Sequence, residues 1–442
     1  MLTKTRESFQ PARVCAHTWT GVAGLGFPVS GFCALIAGVF LGAIAAAPRT
    51  CDAAAGAAEQ YLDAQLRVVR SLDAKREAIA EIADEAAGQL LAGGTIHLAG
   101  ETGMMAELAG RAGGLCGAKV LSLEKAQASL GPNDLVLLGD YGTPGKLKTA
   151  LEKLAATKAL VIVFAAAENP LLRRPLSAHL RAIPVDIPLE NRLLVLRSGE
   201  RLIPAAPPAI ATAEWTFVAE LLGACRRRHK QLAVYLSIWL DPECRRYNRT
   251  QGLLFEPGLR PAPVARGQYA HAFLASVGQS LEAVRREELA RICQAAAWLR
   301  DALAAHRQVV RTLQGHLPEV EAGSGGEGHY FTKTVAPGNA RDERWLRENL
   351  GAGDVYLFLG YQENEDARAA AVNALGARTI FLTSAAPSVQ QAKNPRHLYV
   401  NPHWPRSDAC LELAGYDVKA CPLSGILGLT CYYAICGEMA RE

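Results

Sequence analysis

The feature that most constrains this chain is a repeat within it. Asn133 to Ala166 reads "NDLVLLGDYGTPGKLKTALEKLAATKALVIVFAA", and Gly353 to Ala386 reads "GDVYLFLGYQENEDARAAAVNALGARTIFLTSAA". Setting Asp134 against Asp354 also sets Tyr141 against Tyr361. Each copy runs from an apolar strand through a short loop into an amphipathic helix and on to a second apolar strand. Such alternation specifies parallel strands joined by crossover helices, and therefore a sheet covered on both faces.

The repeat extends outward from this centre. From Tyr61, apolar residues at Leu62, Leu66, Val69, Leu72, Ile79 and Ile82 predict one long amphipathic helix, echoed from Tyr269 by Leu274, Val277, Leu281 and Val284. After Gly93-Gly94, Thr95 to Ala99 reads as a strand, followed by a glycine-bracketed elbow, a helix to about Arg111 and a second strand at Lys119 to Leu123. The expected architecture is α/β: two three-layer αβα lobes related by internal duplication, each with a parallel sheet of about five strands. The division is a first lobe over 57–245, a Pro-rich linker over 246–266 and a second lobe over 267–442.

Composition excludes several classes of function. In 442 residues, 47 basic against 43 acidic side chains give a net charge of +4 without a long basic run, which argues against nucleic-acid binding. Eleven cysteines lack a framework spacing, and no C-x-x-C or His pair stands at ligand spacing, so neither a disulfide scaffold nor a metal site is expected. The elbow lacks the G-x-G-x-x-G spacing of a dinucleotide site, and no Walker loop or G-x-S-x-G is present. No cofactor is expected.

No charged residue lies between Arg13 and Arg49. Lys4, Arg6 and Arg13 give a positive flank, Phe32 to Ile44 an apolar core, and Ala43-Ile44-Ala45 or Ala45-Ala46-Ala47 an A-x-A pattern. Residues 1–56 therefore read as a signal peptide or, uncleaved, a membrane anchor, which puts the lobes on the extracytoplasmic side. The alternatives are a misread start or a buried arm, which would leave the protein in the cytoplasm.

The elbow, the strand beginning at Asp134 with "TPGKLKTALEKLAATKALVIV" after it, and the helix start "CPLSGILGLTCYYAICGEM" together resemble the sugar isomerase (SIS) domain of phosphosugar isomerases and phosphosugar-binding regulators. The resemblance covers about 57–442 as a pattern of elements. It implies tandem lobes packed face to face with a sugar or sugar-phosphate site in the cleft. The family's phosphate loop, strand-Ser-x-Ser-Gly-x-Thr, corresponds here to Asp140-Tyr141-Gly142-Thr143-Pro144-Gly145 and to Gly360-Tyr361-Gln362-Glu363-Asn364-Glu365. Both serines are absent from each loop, and the acids repel an anion.

The elbow itself is Gly100-Glu101-Thr102-Gly103-Met104, where Thr102 is the single hydroxyl and Glu101 can satisfy the helix dipole. Its counterpart in the second lobe is expected in the Gly-rich stretch around Ser324. The candidate ligand-binding residues are thus Gly100, Thr102, Gly103, Tyr141, Gly142, Thr143, Ser324, Tyr361, Gln362 and Ser424. Isomerisation would need a base and a ring-opening group. Glu107 and His403 are the candidates, with Glu107 expected as an exposed helix residue and His403 as a loop contact.

Three readings follow. The first is a carbohydrate-derivative-binding protein of SIS type, non-catalytic, with its ligand between the lobes. The second is an isomerase with a rearranged site, in which Thr102, Thr143, Ser324 and Ser424 converge. The third is a membrane-tethered structural or interaction protein. A second copy of the chain is a further partner that these readings allow. What separates them is whether the cleft is open or filled by Met104, Met105, Tyr141 and Tyr361.

Overall fold

The structure is a computed structural model that describes residues 56–441, apart from 144, 174–176, 196–200, 238–247, 249–251, 324–329, 336–339 and 363. The expected leader and Ser324 lie outside the described residues.

The first lobe opens with α1 (Ala57–Ala74) and α2 (Arg76–Leu91) in place of the single long helix. Lys75 leaves the helical region at φ −99° and ψ 5°, and its ammonium bonds Pro184 O at 2.9 Å. The break turns the apolar stripe, so that α1 packs mainly on helices of the second lobe while α2 packs mainly within its own. Next come β1 (Ile96–Gly100), α3 (Thr102–Leu108), β2 (Lys119–Val120), a short α4 (Ala126–Ser129), β3 (Leu135–Gly139), α5 (Lys146–Ala155), β4 (Leu160–Ala166) and β5 (Leu180–Val185). A small ribbon of β6 (Leu194–Val195) and β7 (Arg201–Leu202) leads into α6 (Ala206–Arg226).

The second lobe has α7 (Gln268–Ala283), a π-helical turn (Val284–Glu288) and α8 (Leu289–Ala304). There follow β8 (Val309–Leu313), α9 (His316–Glu321), β9 (Lys333–Thr334), α10 (Ala340–Asn349), β10 (Val355–Leu359), α11 (Asp366–Ala374), β11 (Arg378–Leu382), α12 (Val389–Ala392) and β12 (His397–Val400). A hairpin of β13 (Ala409–Leu413) and β14 (Tyr416–Pro422) precedes the last helix, α13 (Ser424–Ala440).

The two main sheets share one topology, β2-β1-β3-β4-β5 and β9-β8-β10-β11-β12, and every pairing within them is parallel. Registers agree as well, since Gly100 pairs Gly139 where Leu313 pairs Leu359. Each lobe is therefore a doubly wound αβα unit, and the duplication is structural. Strands β3 and β4 are buried along their whole length, as strands covered by helices on both faces must be.

One apolar core runs continuously through both lobes, and each sheet has a smaller core on its outer face. Helices α6 and α13 are buried all round, which their lack of a polar stripe requires, and they form the centre of the molecule with α1 and α7. Among the described residues, no helix is long and apolar enough to cross a membrane.

The second lobe's elbow is not in the Gly-rich stretch where the repeat suggests it. It is Leu313-Gln314-Gly315-His316 at the end of β8, with Gly315 at φ +122°. The stretch around Ser324 falls later, between α9 and β9. Arg311 and Thr312 interrupt the apolar run of β8 and hide it as a strand in the sequence, yet both are buried.

Candidate functional site

In a sheet of order 2-1-3-4-5, the crevice for a ligand opens where the chain reverses direction, beyond the carboxyl ends of the two strands at the switch. In the first lobe these are β1 and β3, followed by the elbow at Gly100 and the loop from Asp140. The elbow needs its glycine, because at φ +103° a Cβ on Gly100 would stand 2.1 Å from Gly139 O.

Glu101 precedes α3 and does not cap it; its carboxylate instead forms an ion pair with Lys146 at the start of α5. Its other oxygen, Oε1, is buried without a hydrogen-bond partner. Asp140 is 3% exposed; its Oδ2 accepts from Asn169 Nδ2 at 3.5 Å, and its Oδ1 is likewise unpartnered. Burial first, then the charge of Glu101, pushes the Asp140 carboxyl up to about 6, against the Gly142 amide and Lys146. Thr102 and Thr143 stand exposed at the rim.

The space behind the elbow is filled. Met104 is wholly buried and Tyr141 is 7% exposed. The Tyr141 hydroxyl has no partner, and burial together with the charges of Glu321, Glu214 and Glu101 holds it protonated. Glu214, from α6, is fully buried with both carboxylate oxygens unpartnered, and its Oε1 lies 2.7 Å from where a Cβ on Gly139 would stand. A Cβ on Gly103 would fall 1.9 Å from Glu321 Oε1, so Gly103 admits helix α9 of the second lobe. At φ +84°, a Cβ on Gly142 would meet Leu189 O at 2.3 Å.

At the second lobe's switch point the polar groups come from both lobes. Arg111, after α3, pairs with Glu107 and donates from Nη2 to Asp408 Oδ2 at 2.8 Å and to Ser424 Oγ at 2.7 Å. Tyr361 donates to Asp408 Oδ2 at 2.6 Å. Sequence-derived candidates Glu107, Tyr361 and Ser424 thus meet around two residues that the sequence did not single out, Arg111 and Asp408. The sequence extends the elbow helix to about Arg111, which would put it one turn after Glu107, but α3 ends at Leu108 where Ala109 turns extended, and Arg111 pairs with Glu107 from beyond the helix. Asp408 reaches the cluster only through the fold, and nothing in its neighbours' sequence marks it.

Glu107 is fully buried, contrary to its expected exposure, because α3 is covered by Trp215 of α6 on one side and by the second lobe on the other. Its Oε1 accepts from Trp215 Nε1 at 3.1 Å, and burial raises its carboxyl against the pull of Arg111. His403 faces the π-helical turn, with Nε2 3.5 Å from Glu288 Oε1 and 3.7 Å from Glu287 Oε2. The hydroxyls of Thr102 and Thr143 are at the rim of the first crevice, whereas that of Ser424 is bonded inside the interface, so these three do not line one cleft. Gln362 follows Tyr361 in the half-buried loop after β10. Among the described residues, no group of three His, Cys, Asp or Glu side chains is placed to hold a metal ion.

Fold and site together define a two-lobed, doubly wound α/β protein with a polar interface between its switch points. The chain is similar to several solved structures. One is the C-terminal domain of glucosamine-fructose-6-phosphate aminotransferase from Francisella tularensis, at 13% identity and a TM-score of 0.47 over 88% of this chain and 97% of that one. Another is tagatose-6-phosphate ketose/aldose isomerase from Escherichia coli, at 10% identity and a TM-score of 0.40 over 87% and 90%. No protein-family model matches the chain, and a search of curated proteins finds no match.

Proposed function

We propose that this protein binds a carbohydrate derivative at the switch point of its first lobe, through the ligand's hydroxyl or amino groups, and does not isomerise phosphosugars. The observation that carries the reading is the pair of buried acceptors without donors, Glu101 Oε1 and Asp140 Oδ1. Sugar hydroxyls and ammonium groups are donors, and they supply what these oxygens lack. A phosphate would bring only further acceptors and charge to a crevice already holding two acids.

Glu107, the candidate base, is buried and engaged with Trp215 and Arg111, away from the rim where a substrate proton would be taken, which supports binding without turnover. The uncharged N-terminal stretch supports export, and with it an unphosphorylated ligand.

Isothermal titration of the full-length protein with glucose, glucosamine, N-acetylglucosamine and their 6-phosphates tests the reading. Saturable binding of at least one unphosphorylated sugar, weakened in Asp140→Ala, is expected. Silence with all of them, or tighter binding of the phosphates, overturns the ligand assignment. Interconversion of fructose 6-phosphate and glucose 6-phosphate by the purified protein overturns the non-catalytic one.

A further inference from the structure

Seven cysteines among the described residues are free thiols, and two of them, Cys410 on β13 and Cys421 on β14, stand on paired strands. The hairpin sets Ala409 against Pro422 and Leu411 against Ala420, so Cys410 faces Cys421. Directly opposed residues of an antiparallel ladder have Cα atoms about 4.5–5.5 Å apart, inside the ~4.4–6.8 Å that a disulfide spans. Cys410 Sγ already reaches across, donating to Cys421 O at 3.4 Å.

The ladder is disturbed at this pair. Cys421 lies in the left-handed region at φ 60°, which a residue with a side chain adopts only against a steric cost. Its amide leaves the hairpin for Gly113 O at 3.0 Å, and its Sγ turns into the core, 3.9 Å from Trp215 O. Cys421 is wholly buried and Cys410 half-buried. Burial pushes the Cys410 thiol up to about 12 and that of Cys421 well above its usual value, so thiol exchange in the folded protein is slow. A bond between them is therefore one made as the hairpin folds, while both thiols are still exposed.

We infer that Cys410 and Cys421 form a disulfide when the chain folds under oxidising conditions, and that the arrangement with two thiols is the reduced form. One cysteine thiolate attacks a sulfur of a low-molecular-weight disulfide such as oxidised glutathione, which releases one glutathione thiol and leaves a mixed disulfide. The second cysteine thiolate then displaces the other glutathione, so two protein thiols are oxidised and one small disulfide is reduced to two thiols. The bond closes the hairpin between Asp408, two residues before Cys410, and Ser424, three after Cys421, both of which accept from Arg111 of the first lobe. It thereby braces the contact between the lobes from both ends. The inference does not rest on the reading of the first-lobe crevice; export would supply the oxidising setting.

The test refolds the full-length protein from denaturant and dithiothreitol into a mixture of oxidised and reduced glutathione and, separately, into dithiothreitol alone. Free thiols are then capped and the protein is digested for mass spectrometry without reduction. A peptide pair joined through Cys410 and Cys421, lighter by two hydrogens than its separate thiol peptides, is expected only from the glutathione mixture. The unfolding equilibrium constant of that oxidised protein is expected to be about tenfold or more below that of the reduced one, a difference that Cys410→Ser abolishes. Recovery of both cysteines as capped thiols, or joined to other cysteines, overturns the inference; so does equal stability of the two wild-type preparations. A chain that does not refold from denaturant is produced instead by secretion into an oxidising compartment and mapped in the same way, where the joined pair supports the inference and two capped thiols overturn it.

Discussion

Asp134 and Asp354 make the same two backbone hydrogen bonds from corresponding places in the two lobes. Asp134 Oδ1 accepts from Thr95 N at 2.8 Å and Oδ2 from Gly131 N at 2.7 Å; Asp354 Oδ1 accepts from Gln308 N at 2.9 Å and Oδ2 from Gly351 N at 2.8 Å. Each carboxylate ties the turn before the central strand to the start of the neighbouring strand, and so sets the register at the middle of its sheet. Alanine at either position removes two charge-assisted bonds and is expected to cost about 2–3 kcal/mol. Because one core runs through both lobes, each variant unfolds in a single transition. Urea denaturation measures both; two separated transitions would show that the lobes fold independently.

These aspartates also show what the sequence made legible. The central repeat was readable because strands covered on both faces must be continuously apolar and because Asp134 and Asp354 sit at matched positions. The second elbow was not, since Arg311 and Thr312 break the apolar run of β8, and Arg311 is reconciled with burial by partners well along the chain, Thr334 on β9 and Tyr432 on α13. Glu107, Tyr361 and Ser424 stand in a helix, a loop and a helix start that the sequence pattern marks, and the fold places them around Arg111. Asp408 was not, because its role depends on the start of a helix folding back over it, which no local pattern encodes.

Glu214 presents a test of buried charge. It is fully buried with neither oxygen hydrogen-bonded, and burial, then the charge of Glu107, raises its carboxyl well above the ordinary 4.5. A raised carboxyl binds its proton more tightly in the folded state, so its contribution to stability is full below the unfolded value and is lost as pH rises. Glu214→Gln removes that dependence. The variant is expected to match wild type near pH 4 and to exceed it by about 1–3 kcal/mol at pH 8. Denaturant titrations at the two pH values decide it, and a variant less stable at pH 8 would mean that Glu214 has an ionised role.

Asp140 makes a related prediction over a narrower range. Its carboxyl rises from 3.8 to about 6, so its stabilising contribution disappears between about pH 4 and pH 6 as pH increases. Asp140→Asn is expected to flatten the pH profile of stability across that interval and to gain about 1–2 kcal/mol at pH 7, allowing for screening at the crevice. The same substitution removes the charge that would hold a ligand's ammonium group, so thermal stability is expected to rise while affinity for an amino sugar falls. If both fall together, Asp140 supports the loop and not a ligand.

Arg111 is the cation on which both lobes depend. Its guanidinium faces Glu107 from its own lobe and Asp408 and Ser424 from the other, all of them buried. Arg111→Met leaves two buried acids without their cation and is expected to cost about 3–5 kcal/mol. Asp408→Asn alone removes one charge from the interface but leaves Arg111 paired with Glu107, so its cost is smaller. Combined, the two changes remove both members of the pair, and the double variant is expected to lie about 1–3 kcal/mol above the sum of the single effects. A double-mutant cycle by chemical denaturation measures this coupling directly. Additive effects would show that Arg111 acts through Glu107 within the first lobe and that the interface is held by packing alone.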